Sequence, residues 1–228
     1  MEIKRPIIEI APNGDHIKYK YPDGETIDVR YTQVQPRPSS QDTVNVMGIN
    51  AYGQSYESSH NRTGRNLNWY MEYADKYPRA VLERIKTARG VVLDIASGQG
   101  QYVEDLRTLS VEAYGLDAWL DDKQRALDYY LLGFAHRTGL VSNWAQIVTV
   151  NNVMHYSMTD AYRRAVLQEL TRLTKVSGSI LIYPLSRQEK HNFSQLVEGL
   201  SVNVVNNGNH VSSEQKCSEL WEIVKTAS

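Results

Sequence analysis

The chain has 228 residues, of which 41% are hydrophobic and 22% charged, with a formal net charge of −1. This length allows one full hydrophobic core and a small accessory element, and the composition excludes wholesale disorder, a collagen-like repeat and a membrane channel. The balanced charge lacks the basic excess of proteins that hold a nucleic acid backbone, so nucleic acid is an unfavoured partner. Cys217 is the single cysteine, which rules out an internal disulfide and fits a cytoplasmic location.

The first 41 residues are predicted to form a small antiparallel β-meander followed by a linker. Apolar and charged side chains alternate through residues 16–21 and 27–31, which puts the apolar set on one face of a sheet. Asn13 and Gly14 form a strong turn signal between residues 16–21 and an earlier strand at 7–10. A meander of this size is marginally stable alone, so its apolar face should pack on another element.

Residues 42–89 are predicted to form a lid-like helical segment. Apolar residues recur every four positions in its second half, at Trp69, Tyr73, Tyr77, Val81 and Ile85. Pro78 should break or kink that helix. Residues 52–65 concentrate Tyr, His and Arg, a composition that suits either a segment covering a ligand or a solvated loop.

From Gly90 onwards the pattern changes to short apolar strands that alternate with amphipathic helices. This alternation predicts an α/β domain over residues 90–228, with a mostly parallel sheet covered by helices on both faces. The predicted strands are 91–95, 111–116, 129–134, 147–150, 179–183, 202–205 and 220–225. Helices are predicted near 102–109, near 120–126, from 160 to about 173, and near 188–200.

The loop after the first strand of this domain is the most informative stretch. Asp94 lies near the end of the strand, and Gly98 and Gly100 precede a helix. Glycines in such a loop let the backbone approach a ligand, and a helix N-terminus favours negative charge. A dinucleotide site needs a third glycine where this chain has Val103, so NAD is disfavoured. An acidic residue four positions before Gly98 instead suits a ligand with a cationic amino group and no pyrophosphate.

This motif resembles the first motif of the class I S-adenosylmethionine-dependent methyltransferases, which reads roughly Asp/Glu-x-Gly-x-Gly-x-Gly after a strand. Asp94, Gly98 and Gly100 match it, while Ala96 stands at the first glycine position. Asp117, 17 residues after Gly100, matches the acidic residue that ends the family's next strand. The resemblance implies S-adenosyl-L-methionine as cofactor. It also implies a Rossmann-like, seven-stranded, mostly parallel sheet whose last strand is antiparallel, with the β-meander as an N-terminal extension.

The resemblance also implies roles for individual residues. Asp117 is expected to accept both ribose hydroxyls, because a carboxylate has the acceptor lone pairs for them. Residues 147–156 resemble the family's strand and loop over the methyl group. His155 in that loop is the candidate catalytic residue, with a structural histidine as the alternative. Besides Asp94, Gly98, Gly100 and Asp117, the residues predicted to contact the cofactor are Tyr56, Arg65, Ala96, Ser97, Ala118, Trp119, Ala135, His136, Asn151 and Asn152.

The favoured function is methyl transfer from S-adenosylmethionine to a small molecule, without a metal ion or a membrane. One alternative is a catalytically inactive, methyltransferase-like subunit that binds a partner. It is motivated by Ala135 and His136, which stand where the family often has a carboxylate for the adenine amino group. A protein or RNA methyltransferase is the other alternative. No Asn-Pro-Pro-Tyr type motif follows residues 147–150, which argues against amino methylation of bases or glutamine. The oligomeric state is left open, a homodimer included.

Overall fold

The structure is a computed structural model in which the chain divides into two compact units, Met1–Gly64 and Arg65–Ser228. Each unit contains a sheet of its own. The structure describes residues 7–12, 16–33, 42–49, 55–62, 67, 79–151, 160–185, 195–206 and 219–227.

The first unit is a five-stranded antiparallel sheet in which the strands follow one another in chain order. Its strands are β1 (Ile7–Ile10), β2 (His16–Lys20), β3 (Thr26–Gln33), β4 (Asp42–Ile49) and β5 (Ser55–Arg62). The predicted N-terminal antiparallel meander is confirmed by β1, β2 and β3. Ile17 lies opposite Val29 and Tyr19 opposite Ile27, and all four side chains are buried, as their alternation with charged residues predicts.

Strands β4 and β5 correct the predicted helical segment over residues 42–89. β4 pairs with β3 along its whole length, from Gln33 opposite Asp42 to Thr26 opposite Ile49, and β5 pairs with β4. The meander therefore continues for two strands beyond the predicted linker. The later part of the segment does contain a helix, α1 (Arg79–Lys86), and it belongs to the second unit.

The second unit is a seven-stranded sheet with the strand order β11-β12-β10-β9-β6-β7-β8. β12 runs antiparallel to both of its neighbours, β10 and β11, whereas the other neighbouring pairs of this sheet are parallel. The predicted Rossmann-like sheet with a reversed last strand is therefore confirmed. After α1, its elements are β6 (Val92–Ile95), α2 (Gln101–Thr108), β7 (Ala113–Asp117), α3 (Asp122–Arg125), β8 (Tyr130–Leu132), β9 (Ala145–Asn151), α4 (Asp160–Leu173), β10 (Thr174–Leu185), β11 (Val202–Asn206) and β12 (Glu219–Lys225).

Helices cover both faces of this sheet. On one face, side chains of α4 such as Leu167 pack against Leu93 and Val148 of the central strands. On the other face, α1 and α2 pack against alternate residues of the same strands, including Val92 and Ile147. Successive strand residues thus enter opposite layers, which explains why β6 and β9 are buried along almost their whole length and are mostly apolar. Within the described residues, no helix is long and apolar enough to span a membrane.

The topology places the carboxyl ends of β6, β7 and β9 side by side. β6 lies between the other two, and all three are parallel, with Ile95 level with Leu116 of β7 and with Val150 of β9. The chain reverses the direction of strand addition at β6, and ligands of doubly wound sheets bind at such a switch point. Asp94, Asp117 and Asn151 therefore converge on one edge of the sheet.

Candidate functional site

The segment between β6 and α2, residues 96–100, is called the glycine loop below. Ala96, Gly98 and Gly100 adopt left-handed backbone conformations, with φ values of 58°, 58° and 80°. Glycine adopts such angles without strain, whereas an L-residue such as Ala96 does so at a cost of roughly 1–2 kcal/mol. Gly100 is the N-cap of α2 and provides no side chain to bond the free N–H groups of the first turn.

Asp117, at the end of β7, is bonded directly to the glycine loop. Its Oδ2 accepts a hydrogen bond from the Gly98 N–H at 2.8 Å, and its Oδ1 accepts one from the Trp119 N–H at 3.0 Å. These two backbone donors fix the plane of a carboxylate that is only 7% exposed. A carboxylate accepts up to about four hydrogen bonds, so this anchoring is compatible with binding a pair of hydroxyl groups.

Asp94 is the second buried carboxyl group of the site. Its Oδ1 accepts hydrogen bonds from Thr149 Oγ1 at 2.7 Å and from Asn151 Nδ2 at 3.2 Å. The pKa of Asp94 is raised to about 7, chiefly by burial and to a smaller extent by the negative charge of Asp117, against the lowering effect of the two hydrogen bonds. A carboxyl group in this state is poised to bind a cation, because a nearby positive charge stabilises its ionised form.

These features fit the chemical groups of S-adenosylmethionine. The cofactor carries a ribose diol, a cationic ammonium and sulfonium, and a carboxylate. Asp117 offers an oriented acceptor pair for the diol, and Asp94 offers a buried negative charge for a cation. The first turn of α2, which lacks a side-chain cap from Gly100, suits the carboxylate.

Three residues of this site are not apparent from the sequence motif. Thr149 is fully buried and lies directly across the parallel ladder from Asp94. Gln124 of α3 donates from Nε2 to the Gly98 carbonyl at 2.9 Å. The Tyr130 hydroxyl of β8 donates to the Gly100 carbonyl at 2.9 Å. Only Gln124 has a signal in the sequence, because it forms a capping box with Asp121, three residues earlier.

The contact with Tyr130 explains why residue 100 is a glycine. On sequence grounds alone, the expected reason is the close approach of a ligand. A Cβ at this position would collide with the hydroxyl and ring of Tyr130. Glycine is therefore required here by a neighbouring side chain of the protein, in addition to any close approach of a ligand. Burial also raises the pKa of the Tyr130 phenol, so the hydroxyl remains a hydrogen-bond donor across the neutral pH range.

The other predicted contact residues have different surroundings. Trp119 is 5% exposed, and the Arg125 guanidinium lies 5.1 Å from the centroid of its ring. Ala135 belongs to the apolar layer on the α4 face, and the next residue, His136, places Nδ1 3.2 Å from the Tyr162 hydroxyl. The Ser97 hydroxyl is buried and has no hydrogen-bond partner among the described residues.

Several predicted residues stay predictions. Arg65, Asn152 and the candidate catalytic residue His155 lie outside the described residues. Tyr56 lies in β5 of the first unit. Ala118 directly follows β7, beside Asp117.

Comparison with known proteins is consistent with this geometry. Residues 93–182, from β6 to β10, match the family described as "Methyltransferase domain". Among curated proteins, no sequence matches the chain.

Solved structures of low sequence identity share the fold. The 1,6-didemethyltoxoflavin-N1-methyltransferase of Burkholderia thailandensis, with bound S-adenosylhomocysteine, has a TM-score of 0.53 and 14% identity over 71% of this chain and 82% of that chain. A protein of Pyrococcus horikoshii has a TM-score of 0.52 and 16% sequence identity, over 71% of this chain and 93% of that chain. A Methanococcus maripaludis protein assigned as an S-adenosyl-L-methionine-dependent methyltransferase has a TM-score of 0.51 and 16% sequence identity, over 65% of this chain and 83% of that chain.

The strand order, the reversed last strand, the glycine loop after the central strand and the family match over residues 93–182 all agree. The second unit of this chain therefore has a Rossmann-like methyltransferase fold, and its residues 93–182 match the methyltransferase domain family.

Proposed function

We propose that the second unit binds S-adenosylmethionine at the glycine loop and transfers its methyl group to a small-molecule acceptor. The observation that carries this proposal is the pair of buried carboxyl groups, Asp94 and Asp117, at adjacent strand ends on either side of that loop. The acceptor class is supported by the neighbour from Burkholderia thailandensis, whose bound didemethyltoxoflavin is a small molecule.

In this proposal each carboxyl group binds one part of the cofactor. Asp117 accepts hydrogen bonds from the ribose hydroxyls, while its own position is fixed by the N–H groups of Gly98 and Trp119. Asp94 faces the cationic part, and its ionised form is held by Thr149 and Asn151. Both contacts are charge-assisted, so each is stronger than a hydrogen bond between neutral groups.

The bound cofactor supplies a methyl group that is already activated by the sulfonium. The protein's task is then to align the acceptor with that methyl group and to exclude water. Trp119 and Ala118 follow the ribose acid and would border the adenine, together with Ala135 and His136 after β8. His155 would line the acceptor side. The proposal includes a cytoplasmic location, which rests on the lack of an internal disulfide.

Isothermal titration calorimetry of the full chain with S-adenosylhomocysteine tests cofactor binding. We expect micromolar affinity for the wild type. Asp117→Ala should weaken it by about two to four powers of ten, since two charge-assisted bonds are worth roughly 1.5–3 kcal/mol each. Asp128→Ala is the matched control, because it removes an exposed carboxylate near α3 and should bind like wild type. Equal binding by a folded Asp117→Ala protein would exclude it as the ribose ligand.

The acceptor class is tested with S-adenosylmethionine labelled in the methyl group. The enzyme is incubated with a cell extract that is afterwards divided into small molecules, proteins and RNA. Label in the small-molecule fraction supports the proposal, and label in protein or RNA alone contradicts it. Binding of the cofactor without any transfer of label would indicate a partner-binding subunit instead.

A further inference from the structure

Two side chains from outside the glycine loop hold its carbonyl groups. Gln124 comes from α3 and Tyr130 from β8, and they bond the carbonyl oxygens of Gly98 and Gly100 respectively. Both side chains are almost completely buried, with exposures of 2% and 5%. Neither hydrogen bond is local in the chain, since the partners are 26 and 30 residues apart.

The bond from Gln124 determines the orientation of a peptide group. In a trans peptide the C=O and the following N–H point in opposite directions, so fixing the Gly98 carbonyl also fixes the N–H of Gln99. Glycine tolerates both signs of φ, so the peptide groups beside Gly98 are easily rotated unless they are held. Gly98 is in fact held twice, because its N–H donates to Asp117 while its C=O accepts from Gln124.

Tyr130 supports the junction between the glycine loop and α2. The Gly100 carbonyl accepts the first hydrogen bond of the helix, from the Glu104 N–H at 3.0 Å, and it also accepts from the Tyr130 hydroxyl. The Tyr130 ring occupies the space where any side chain at position 100 would be. The Tyr130 ring and its hydrogen bond to Gly100 therefore fix the position of the start of α2 relative to β8.

We propose that Gln124 and Tyr130 are positioning residues for cofactor binding, which act through the glycine loop without touching the cofactor. This inference rests on the proposed function of the same loop. Gln124 sets the direction of the Gln99 N–H, through the carbonyl of Gly98. Tyr130 sets the place of the first turn of α2. A cofactor that binds to this backbone gains affinity from the two side chains because they order the loop before it binds.

The first test is Tyr130→Phe, which removes the hydroxyl and keeps the ring. Cofactor affinity is measured by titration of the full chain with S-adenosylhomocysteine. We expect binding to weaken about 3- to 10-fold, the effect of one lost neutral hydrogen bond. Tyr129→Phe is the matched control. It makes the same chemical change one residue earlier, where the ring is half-buried and its centroid lies 4.1 Å from Arg107 Cζ. This variant should bind S-adenosylhomocysteine like wild type.

The second test separates the two functions of Gln124. Gln124→Met keeps a similar volume but loses both the bond to Gly98 and the capping box with Asp121. Asp121→Ala removes the side chain that caps α3 and leaves the donor to Gly98 in place. We expect Gln124→Met to bind S-adenosylhomocysteine about 3- to 10-fold more weakly than Asp121→Ala.

Thermal melting of the ligand-free variants distinguishes positioning from simple stabilisation. Lower melting temperatures with unchanged cofactor affinity, for both Tyr130→Phe and Gln124→Met, would be the result of a purely structural role and would overturn the inference. Wild-type protein that binds no S-adenosylhomocysteine would overturn the proposed function and this inference with it. Tight binding by the wild type and both variants would overturn the inference alone.

Discussion

Thr149 lies directly opposite Asp94 in the parallel ladder of β9 and β6, and its hydroxyl donates to Asp94 Oδ1 at 2.7 Å. The hydroxyl is fully buried beside a carboxyl group whose pKa is raised by burial to about 7. This hydrogen bond favours the ionised carboxylate and opposes the effect of burial. Thr149 therefore adjusts the charge of the group that we propose to face the cationic part of the cofactor.

Replacing Thr149 with valine should shift the pH dependence of cofactor binding. Valine has the same shape but cannot donate, so the pKa of Asp94 should rise by about one unit, given roughly 1.4 kcal/mol per unit. Affinity for S-adenosylmethionine should then fall about fivefold at pH 7 and about tenfold at pH 6, in proportion to the ionised fraction of Asp94, and should approach the wild-type value near pH 9. Titration calorimetry from pH 6 to 9 measures this shift.

Thr149→Ser keeps the hydroxyl and serves as the control, with a pH midpoint close to that of the wild type. If Thr149→Val instead weakens binding by the same factor at every pH, the hydroxyl affects packing and leaves the charge of Asp94 unchanged.

Asp94→Asn should stabilise the ligand-free protein at alkaline pH. The pKa of Asp94 is about 7 in the folded chain, above the value of about 4 expected in the unfolded chain. Its contribution to stability is therefore fully present below about pH 4 and is lost as the pH rises towards 7. Asparagine is uncharged and keeps an oxygen that can accept from Thr149 and Asn151, so it avoids this loss.

Thermal melting without ligand at pH 5 and pH 8 tests this expectation. The melting temperature of Asp94→Asn should exceed that of the wild type at pH 8, and the difference should shrink at pH 5. The same variant should bind S-adenosylmethionine more weakly, since it has lost the negative charge. A lower melting temperature than wild type at pH 8 would show that another group neutralises Asp94 in the folded protein.

The parallel sheet follows from local sequence patterns, and the position of the site follows from the motif that resembles a methyltransferase. Alternation of strands and helices after Gly90 predicts the parallel sheet, and the resemblance to the methyltransferase family implies that Asp94, Gly98 and Asp117 contribute to one cofactor site. Residues 42–49 and 55–62 of the first unit are different. The stretch 42–64 is polar overall, with scattered Tyr and Asn, and has no clear strand signal, whereas the structure pairs its two strands with β3 and with each other.

The missed residues of the site share another physical reason. Thr149, Gln124 and Tyr130 act through hydrogen bonds that span 55, 26 and 30 residues, and no local pattern encodes such contacts. Ala96 shows a further limit. The sequence suggests only one extra methyl group at a glycine position. The structure shows that Ala96 has a left-handed backbone conformation, so the energetic cost of alanine here is backbone strain.

Gly115→Ala should disturb the glycine loop, although residue 115 lies on β7, because residue 115 is packed against Ser97 and Tyr130. A Cβ at this position would lie 2.7 Å from Ser97 Oγ and 2.8 Å from Tyr130 Cδ1, closer than side chains approach each other. Overpacking of this kind costs roughly 1–3 kcal/mol. The strain should displace Ser97 and Tyr130, so cofactor affinity should fall together with the melting temperature.

Gly133→Ala is the comparison, because its Cβ would lie 3.2 Å from Leu116 Cδ1, at the end of a flexible side chain, and 3.2 Å from the Thr138 carbonyl oxygen. It should lower the melting temperature less than Gly115→Ala and should leave cofactor affinity nearly unchanged. Adding Ser97→Ala to Gly115→Ala removes the closest contact and should restore part of the lost stability. If Gly115→Ala alone melts and binds S-adenosylhomocysteine like wild type, the tight packing of Ser97 and Tyr130 under the loop is disproved.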